Sequence, residues 1–231
     1  MSDPRTITDI FKDPNHAAQY ADGPARFVPG FQALHQMAGV LLRESVPTDA
    51  HVLVHGAGGG LELQAFAAAN PGWTFAGVDP ARAMLDEAQK RLGALIERIE
   101  LHQGYAEDAP PGPYDAATSF LTLHFIDADE RLNTVAEIVR RLKPGAPFIT
   151  AHVSFPQSPE NRARWLARHR DYTVASGVDE ALAEQGRKDI AENLYVLDPE
   201  DDEAVLREAG LADVTQFYSA FTWRAWIGRR S

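Results

Sequence analysis

His51-Val52-Leu53-Val54-His55-Gly56-Ala57-Gly58-Gly59-Gly60-Leu61-Glu62 decides how this chain is read. A short apolar run stops at a cluster of glycines and a helix-forming segment begins at once, the pattern of a strand, a tight turn and a helix N-terminus. Glycines let a ligand approach the main chain closely, and the first amides of the new helix point unpaired N–H donors at whatever lies there. A second apolar run, Trp73-Thr74-Phe75-Ala76-Gly77-Val78, ends at Asp79, nineteen positions after Gly60. A carboxylate closing the second strand of such a unit can accept from both hydroxyls of a ribose.

Glycine spacing separates two nucleoside readings. A GxGxxG fingerprint starting at Gly56 needs its third glycine at Leu61, whereas Gly56, Gly58 and Gly60 give GxGxG. This favours S-adenosylmethionine (SAM) over a nicotinamide dinucleotide, with Gly56, Ala57, Gly58, Gly60, Asp79 and Pro80 as candidate contacts. A glycine-rich connection without a ligand is the plain alternative for the run alone, and Asp79 weighs against it.

The 231 residues, 45% of them hydrophobic, suffice for one large α/β domain over residues 1–231. A net charge of −11 offers no overall basic field to a nucleic-acid backbone, so a small-molecule substrate is expected and no direct nucleic-acid partner. With no cysteine, neither a disulfide nor a thiol nucleophile is available. Met1-Ser2-Asp3-Pro4-Arg5 leads into no apolar leader and no run approaches a membrane span, so a cytoplasmic chain with no membrane partner is expected.

Residues 1–48 read as an N-terminal cover, ending in a helix from Phe31 to Leu42. Beyond β-like runs at 51–55 and 73–78, strands are expected at Ile99–His102, Asp115–Leu121 and Pro147–Val153. Helices are expected at Leu61–Ala69, from Pro80 to about Leu92 and over Arg131–Leu142. Residues 155–197 read as a helical insertion over the acceptor site. Val214–Tyr218 and Phe221–Ile227 lie too close together for a crossover and must pair antiparallel. The fold expected is α/β: a Rossmann-like, doubly wound, mostly parallel seven-stranded sheet with an antiparallel last strand.

The crossover strands, the GxGxG turn, Asp79, Leu142-Lys143-Pro144-Gly145 and the closing pair together resemble the class I SAM-dependent methyltransferases. That resemblance implies SAM as cofactor and S-adenosyl-L-homocysteine (SAH) as product. Phe27-Val28-Pro29-Gly30-Phe31, Ser119 to Phe125, Ser154-Phe155 and Glu192-Asn193 look more narrowly like the carboxy-SAM synthase group. Its members are dimers that convert SAM and prephenate into a carboxymethyl donor for tRNA wobble-uridine modification, so the resemblance implies a homodimer. Three positions after Glu192-Asn193 the group has a carboxylate-gripping arginine, and this chain has Val196. Many methyltransferases carry an acid two positions before the first glycine, where this chain has Val54. A third-strand acid for the adenine amino group falls at Tyr105.

Methyl transfer from a sulfonium asks the protein to orient two ligands and exclude water, with a base only for a poor nucleophile. His124, after the fourth strand, is the candidate base. A buried histidine that shapes the pocket is the competing reading. The main chain at Tyr105, Ala106 and Glu107, with Met84, Phe120 and Leu121, would line the cofactor; Phe31, His152 and Tyr195 would meet the acceptor. Met84, Tyr195, Trp223 and Trp226 read equally or better as packing residues. Glu200-Asp201-Asp202-Glu203 reads as a helix first turn, where negative charge suits the dipole, and no spacing argues for a metal. The function expected is methyl transfer to a small molecule, with a carboxy-SAM synthase-like enzyme and a non-catalytic SAM-binding protein as alternatives.

Overall fold

Apolar runs that alternate with amphipathic segments from His51 onward become strands and crossover helices in that order. The computed structural model describes residues 9–20 and 23–231. Residues 1–8 and 21–22 of the expected cover, including the start read as lacking an apolar leader, lie outside the described residues. Among the described residues three α-helices, after a 3-10 turn at Ile10–Lys12, precede the first strand: α1 (Pro14–Tyr20), α2 (Pro24–Phe27) and α3 (Phe31–Arg43). Then follow β1 (His51–His55), α4 (Leu61–Ala69), β2 (Thr74–Asp79), α5 (Arg82–Leu92), β3 (Ile99–Gln103), β4 (Ala116–Phe120), α6 (Ala128–Arg140) and β5 (Pro147–Val153). The chain closes with α7 (Pro159–Ala175), α8 (Glu180–Asn193), α9 (Pro199–Glu208), β6 (Leu211–Ala220) and β7 (Trp223–Arg230).

The seven strands form one sheet in the order β3-β2-β1-β4-β5-β7-β6. The first five are parallel, and β7 runs antiparallel to both neighbours. Strand side chains alternate between two cores. Val52, Val54, Phe75, Phe120 and Ile149 face one side with Leu34, Phe66 and Leu85. Leu53, Ala76, Val78, Phe148 and Trp226 face the other with Val135, Ile138 and Leu206. Each large buried side chain stabilises the fold by roughly 1.5–3 kcal/mol. Helices α4 and α5 therefore cover one face, α6 and α9 the other, and the chain changes direction between β1 and β4.

Local chemistry sets the helix ends. The Asp127 carboxylate caps α6 by accepting from Glu130 N at 3.0 Å, and Asp179 caps α8 by accepting from Ala181 N at 2.9 Å. Pro159 opens α7, where its missing N–H costs nothing. The polar stretch expected as one helical region breaks into α7 and α8 at Gly177, whose φ is +88°. The last hairpin also departs from the expected boundaries. Phe221, expected to begin the final strand, sits in the two-residue turn with φ +51°, because a tight hairpin needs a positive φ to match strand twist.

Candidate cofactor and acceptor site

Where β1 and β4 part company, helices leave toward opposite faces and the sheet's carboxyl edge opens a crevice. The glycine turn forms one wall. Gly56 N and Ala57 N both donate to Val78 O, at 2.9 and 3.0 Å, which fastens the turn to the end of β2. Gly56, Gly58 and Gly60 take φ of +71°, +39° and +77°, a region that L side chains rarely enter. A Cβ on Gly56 would lie 2.0 Å from the Thr122 hydroxyl, and one on Gly60 3.0 Å from Ala88 Cα, whereas beside Gly58 the nearest atom is Met84 Cε at 3.4 Å.

Asp79 anchors the far end. Its Oδ2 accepts from Gly58 N and its Oδ1 from Ala81 N, each at 2.9 Å. Burial pushes its carboxyl up to about 6, against those two amides, which favour the ionised form. A carboxylate has about four lone-pair sites, so acceptor capacity remains for hydroxyls. The loop leaving β3 is tied beside it by Gly104 N donating to Asp79 O at 3.1 Å. Ala106 is buried there, Tyr105 is 61% exposed, and the Glu107 carbonyl accepts from Arg141 Nη2 at 2.7 Å. Pro80 is exposed, and its carbonyl accepts from Gln103 Nε2 at 3.3 Å.

The cover crosses this crevice. Tyr20 places its ring 3.3 Å from where a Gly59 Cβ would stand, and its phenol is held protonated by burial and by the carboxylates of Asp79 and Glu62. Phe11 meets Tyr20 and Phe125 edge-on, with ring centroids 5.8 and 5.5 Å apart, and Ala17 packs with Ala81 and Met84. Met84 thus belongs to both the α5 core and the crevice wall. On the other wall Phe31, His35 and Phe120 form a ring cluster, with centroids 4.5 Å and 5.2 Å from His35. Leu121 takes φ +55° and its N–H donates to Ala151 O at 2.6 Å, which turns the chain sharply over β5.

His124, His152 and Tyr195 meet in one place, and it is a buried charge network. His152 is 1% exposed; its Nε2 lies 3.1 Å from Asp202 Oδ1 and its Nδ1 3.2 Å from the Thr150 hydroxyl. Arg131 Nη1 donates to the same Asp202 oxygen at 2.5 Å, and Arg131 Nη2 donates to the Tyr195 carbonyl. Burial raises the Asp202 carboxyl, but His152 and Arg131 outweigh it and hold the group below its usual range. His124 accepts from Val153 N at its Nδ1, at 3.2 Å, and its carbonyl accepts from Tyr195 N at 2.9 Å. Burial, then the neighbouring His152 and Arg131, drive its imidazole well below the ordinary value. A ring whose acceptor nitrogen already holds a main-chain N–H supports the loop and has no free lone pair for an acceptor's proton. His152 likewise faces Asp202 and Trp226, away from the crevice face of β5.

Four contributors escaped the sequence reading: Tyr20, Glu62, Thr122 and the Arg131–Asp202 pair. Only Glu62 left a local signal, a charge four positions before Phe66 on the stripe of α4 that faces the sheet. Separately, an open groove of about 780 Å³ lies between α7 and α8, lined in part by Arg170, Glu184 and Arg187, whose charges pair with one another. None of its lining residues belongs to the glycine turn.

The comparisons agree with this geometry. Residues 53–148 match a family described as a methyltransferase domain. The seven-stranded α/β fold is the one shared by class I SAM-dependent methyltransferases. Among curated proteins, this chain is similar to a carboxy-S-adenosyl-L-methionine synthase of Chromohalobacter salexigens, 26% identical, covering 96% of this chain and 83% of that one. A protein of the same name from Alteromonas mediterranea is 24% identical, covering 96% and 93%. Among solved structures, the magnesium protoporphyrin IX methyltransferase of Synechocystis with bound SAH shares the fold at TM-score 0.69 and 16% identity, covering 99% and 100%. Among the described residues no helix is long and apolar enough to cross a membrane.

Proposed function

We propose that this protein is an enzyme that binds SAM across the glycine turn and transfers its methyl group to a small-molecule acceptor, leaving SAH. The observation that carries the reading is the half-buried Asp79 carboxylate, fixed by Gly58 N and Ala81 N at the mouth of the β1–β4 crevice. The residues present fit a nucleoside. Gly58 carries no side chain where a Cβ would stand at contact distance from Met84 and Asp79, Asp79 keeps spare acceptor sites, and the loop leaving β3 is tied beside it. When bound, SAM supplies a methyl group activated by its sulfonium. This chain's residues bind, orient and exclude water. Asp79 would hold the ribose, Met84 and Phe120 would flank the nucleoside, and Tyr20 and Phe11 would close the crevice from above. Phe31, beside His35 and Phe120, would meet the acceptor under the α7–α8 insertion. His124 would act by holding Val153 and Tyr195 in place.

A carboxy-SAM synthase-like activity is the second reading, supported by relatives of that name that align along nearly the whole chain. Against it stands Val196, packed on the apolar core where the group has an arginine that grips a carboxylate. Mass spectrometry of ligand released from the purified protein separates the two. SAM or SAH supports methyl transfer, and a carboxymethyl-bearing species supports the second reading. A protein that retains SAM and modifies nothing in a broad metabolite pool favours binding without catalysis. A cytoplasmic site and a homodimer belong to the same proposal. Sedimentation would test the dimer, for which the outer face of α3 offers exposed Met37 and Val40.

A further inference from the structure

Glu62 stands in the first turn of α4, directly after the glycine turn, and its side chain is turned inward, leaving the residue 6% exposed. Helix periodicity puts it on the stripe of Phe66, against the sheet. It reaches the end of β4. Thr118 and the Phe120 main chain lie near enough to favour its ionised form, yet neither Glu62 Oε1 nor the Thr118 hydroxyl meets a partner in hydrogen-bonding geometry. Thr118 pairs in register with Val54 across the β1–β4 boundary. The carboxyl group therefore occupies the place beside Val54, the position two residues before Gly56 where the resemblance expects an acid. Here that acid comes from the helix instead of the strand.

Such a group is costly. A buried carboxyl with one unpartnered oxygen and no cation beside it among the described residues loses its hydration with only partial compensation from Thr118 and the Phe120 main chain. Burial pushes it up to about 8, so in the free protein it is largely protonated at neutral pH. Tyr20, the titratable group that feels both Glu62 and Asp79, lies between them over Gly59. The two carboxyl groups thus stand at opposite ends of one turn. Asp79 serves the sugar end, and the crevice between β1 and β4 is left for whatever extends from the nucleoside.

We propose that Glu62 is a cofactor-binding residue, its unpartnered carboxyl oxygen accepting from the ammonium group on the amino-acid end of SAM and SAH. This rests on the SAM reading above. A cation arriving at a neutral carboxyl draws off its proton to bulk solvent and leaves a buried ammonium–carboxylate pair, with no other bond made or broken. The Thr118 hydroxyl donates to the second oxygen of the carboxylate so formed.

Isothermal titration of the full chain and of Glu62→Gln with SAM, SAH and 5′-methylthioadenosine tests it. Methylthioadenosine carries the nucleoside and sulfur without the amino-acid end. The variant should bind SAM and SAH about tenfold or more weakly and methylthioadenosine within about twofold of the wild type, the size of a charge-assisted hydrogen bond. Near pH 7, titration in buffers of different ionisation enthalpy should show the wild type releasing roughly half a proton or more beyond whatever the variant releases on binding SAH. Undiminished SAH binding by the variant overturns the proposal, as does a matching loss for methylthioadenosine, which marks a structural role. Weakening confined to SAM would point to the sulfonium and overturn the ammonium assignment. A wild type that binds none of the three ligands sinks the underlying SAM reading itself.

Discussion

Asp79 and Gly58 are fastened across the glycine turn by one 2.9 Å hydrogen bond, from the Gly58 amide to Asp79 Oδ2, so the carboxylate that would hold the sugar also holds the turn. Replacing Asp79 with Ala removes the sugar's partner and leaves the Gly58 and Ala81 amides without theirs. Cofactor affinity should fall by about 1–3 kcal/mol, and thermal stability should fall as well. Asp79→Asn, which keeps one acceptor oxygen, should lose less of both. Calorimetric titration beside thermal melts checks the pair of effects, and unchanged SAM binding in Asp79→Ala would remove Asp79 from the site.

The three positive-φ glycines should not respond alike to alanine. At Gly56 a new Cβ meets Thr122 Oγ1 at 2.0 Å, and at Gly60 it meets the α5 main chain at Ala88. Both variants add a steric clash to the ~1 kcal/mol cost of a left-handed residue. Gly58→Ala carries mainly the backbone cost, because its new Cβ finds ordinary contact distances. Urea titrations should therefore rank Gly58→Ala as the most stable of the three, while its ligand affinity falls because the methyl group stands where the nucleoside would lie. Equal stability for all three would mean the turn is looser than its hydrogen bonds indicate.

What the sequence disclosed and what it hid differ in range. The turn and Asp79 were legible because glycine and a strand-closing acid report on the backbone within a few residues. The sheet was legible because apolar runs and helices alternate at crossover lengths. Asp202 was hidden. Within Glu200-Asp201-Asp202-Glu203 it looks like one more first-turn acid, yet it is 1% exposed and bound to Arg131, 71 positions away. His124 drew attention by following strand 4 and His152 by lying at the end of strand 5, but their partners come from α6, α9 and β5 itself. Glu62 looked like an ordinary helix opener until β4 closed over it. Tyr20 reaches Gly59 only because the cover folds back across the crevice.

The Arg131–Asp202 pair ties α6 to α9, and through the Tyr195 carbonyl it fixes the exit of the insertion. Removing one partner strands the other charge in the core, so Arg131→Met or Asp202→Leu alone should cost about 3–5 kcal/mol. The double replacement should be less destabilised than the sum of the two singles, since it leaves no uncompensated charge. Denaturant unfolding of the four proteins measures this coupling. Additive losses would show that the two side chains do not act as a pair.

Glu62 also predicts how stability changes with pH. Its folded carboxyl titrates at about 8 against an ordinary 4.5, so between those values the native state keeps a proton that the unfolded chain has released. Stability must therefore fall as pH rises from about 4.5 to about 8 and level off above it. Glu62→Gln is neutral throughout and escapes this loss. The variant should match the wild type near pH 5 and be the more stable protein at pH 8 to 9, by an amount on the order of a few kcal/mol. The N-terminus of α4 trims that gap, because its dipole favours the charged carboxylate. Asp79, pushed up to about 6, lowers stability over its own range in both proteins and cancels in the comparison. Saturating SAH should close the gap from the wild-type side by giving the ionised carboxylate its cation. Parallel wild-type and variant stability curves from pH 5 to 9 would mean that Glu62 is ionised in the free protein.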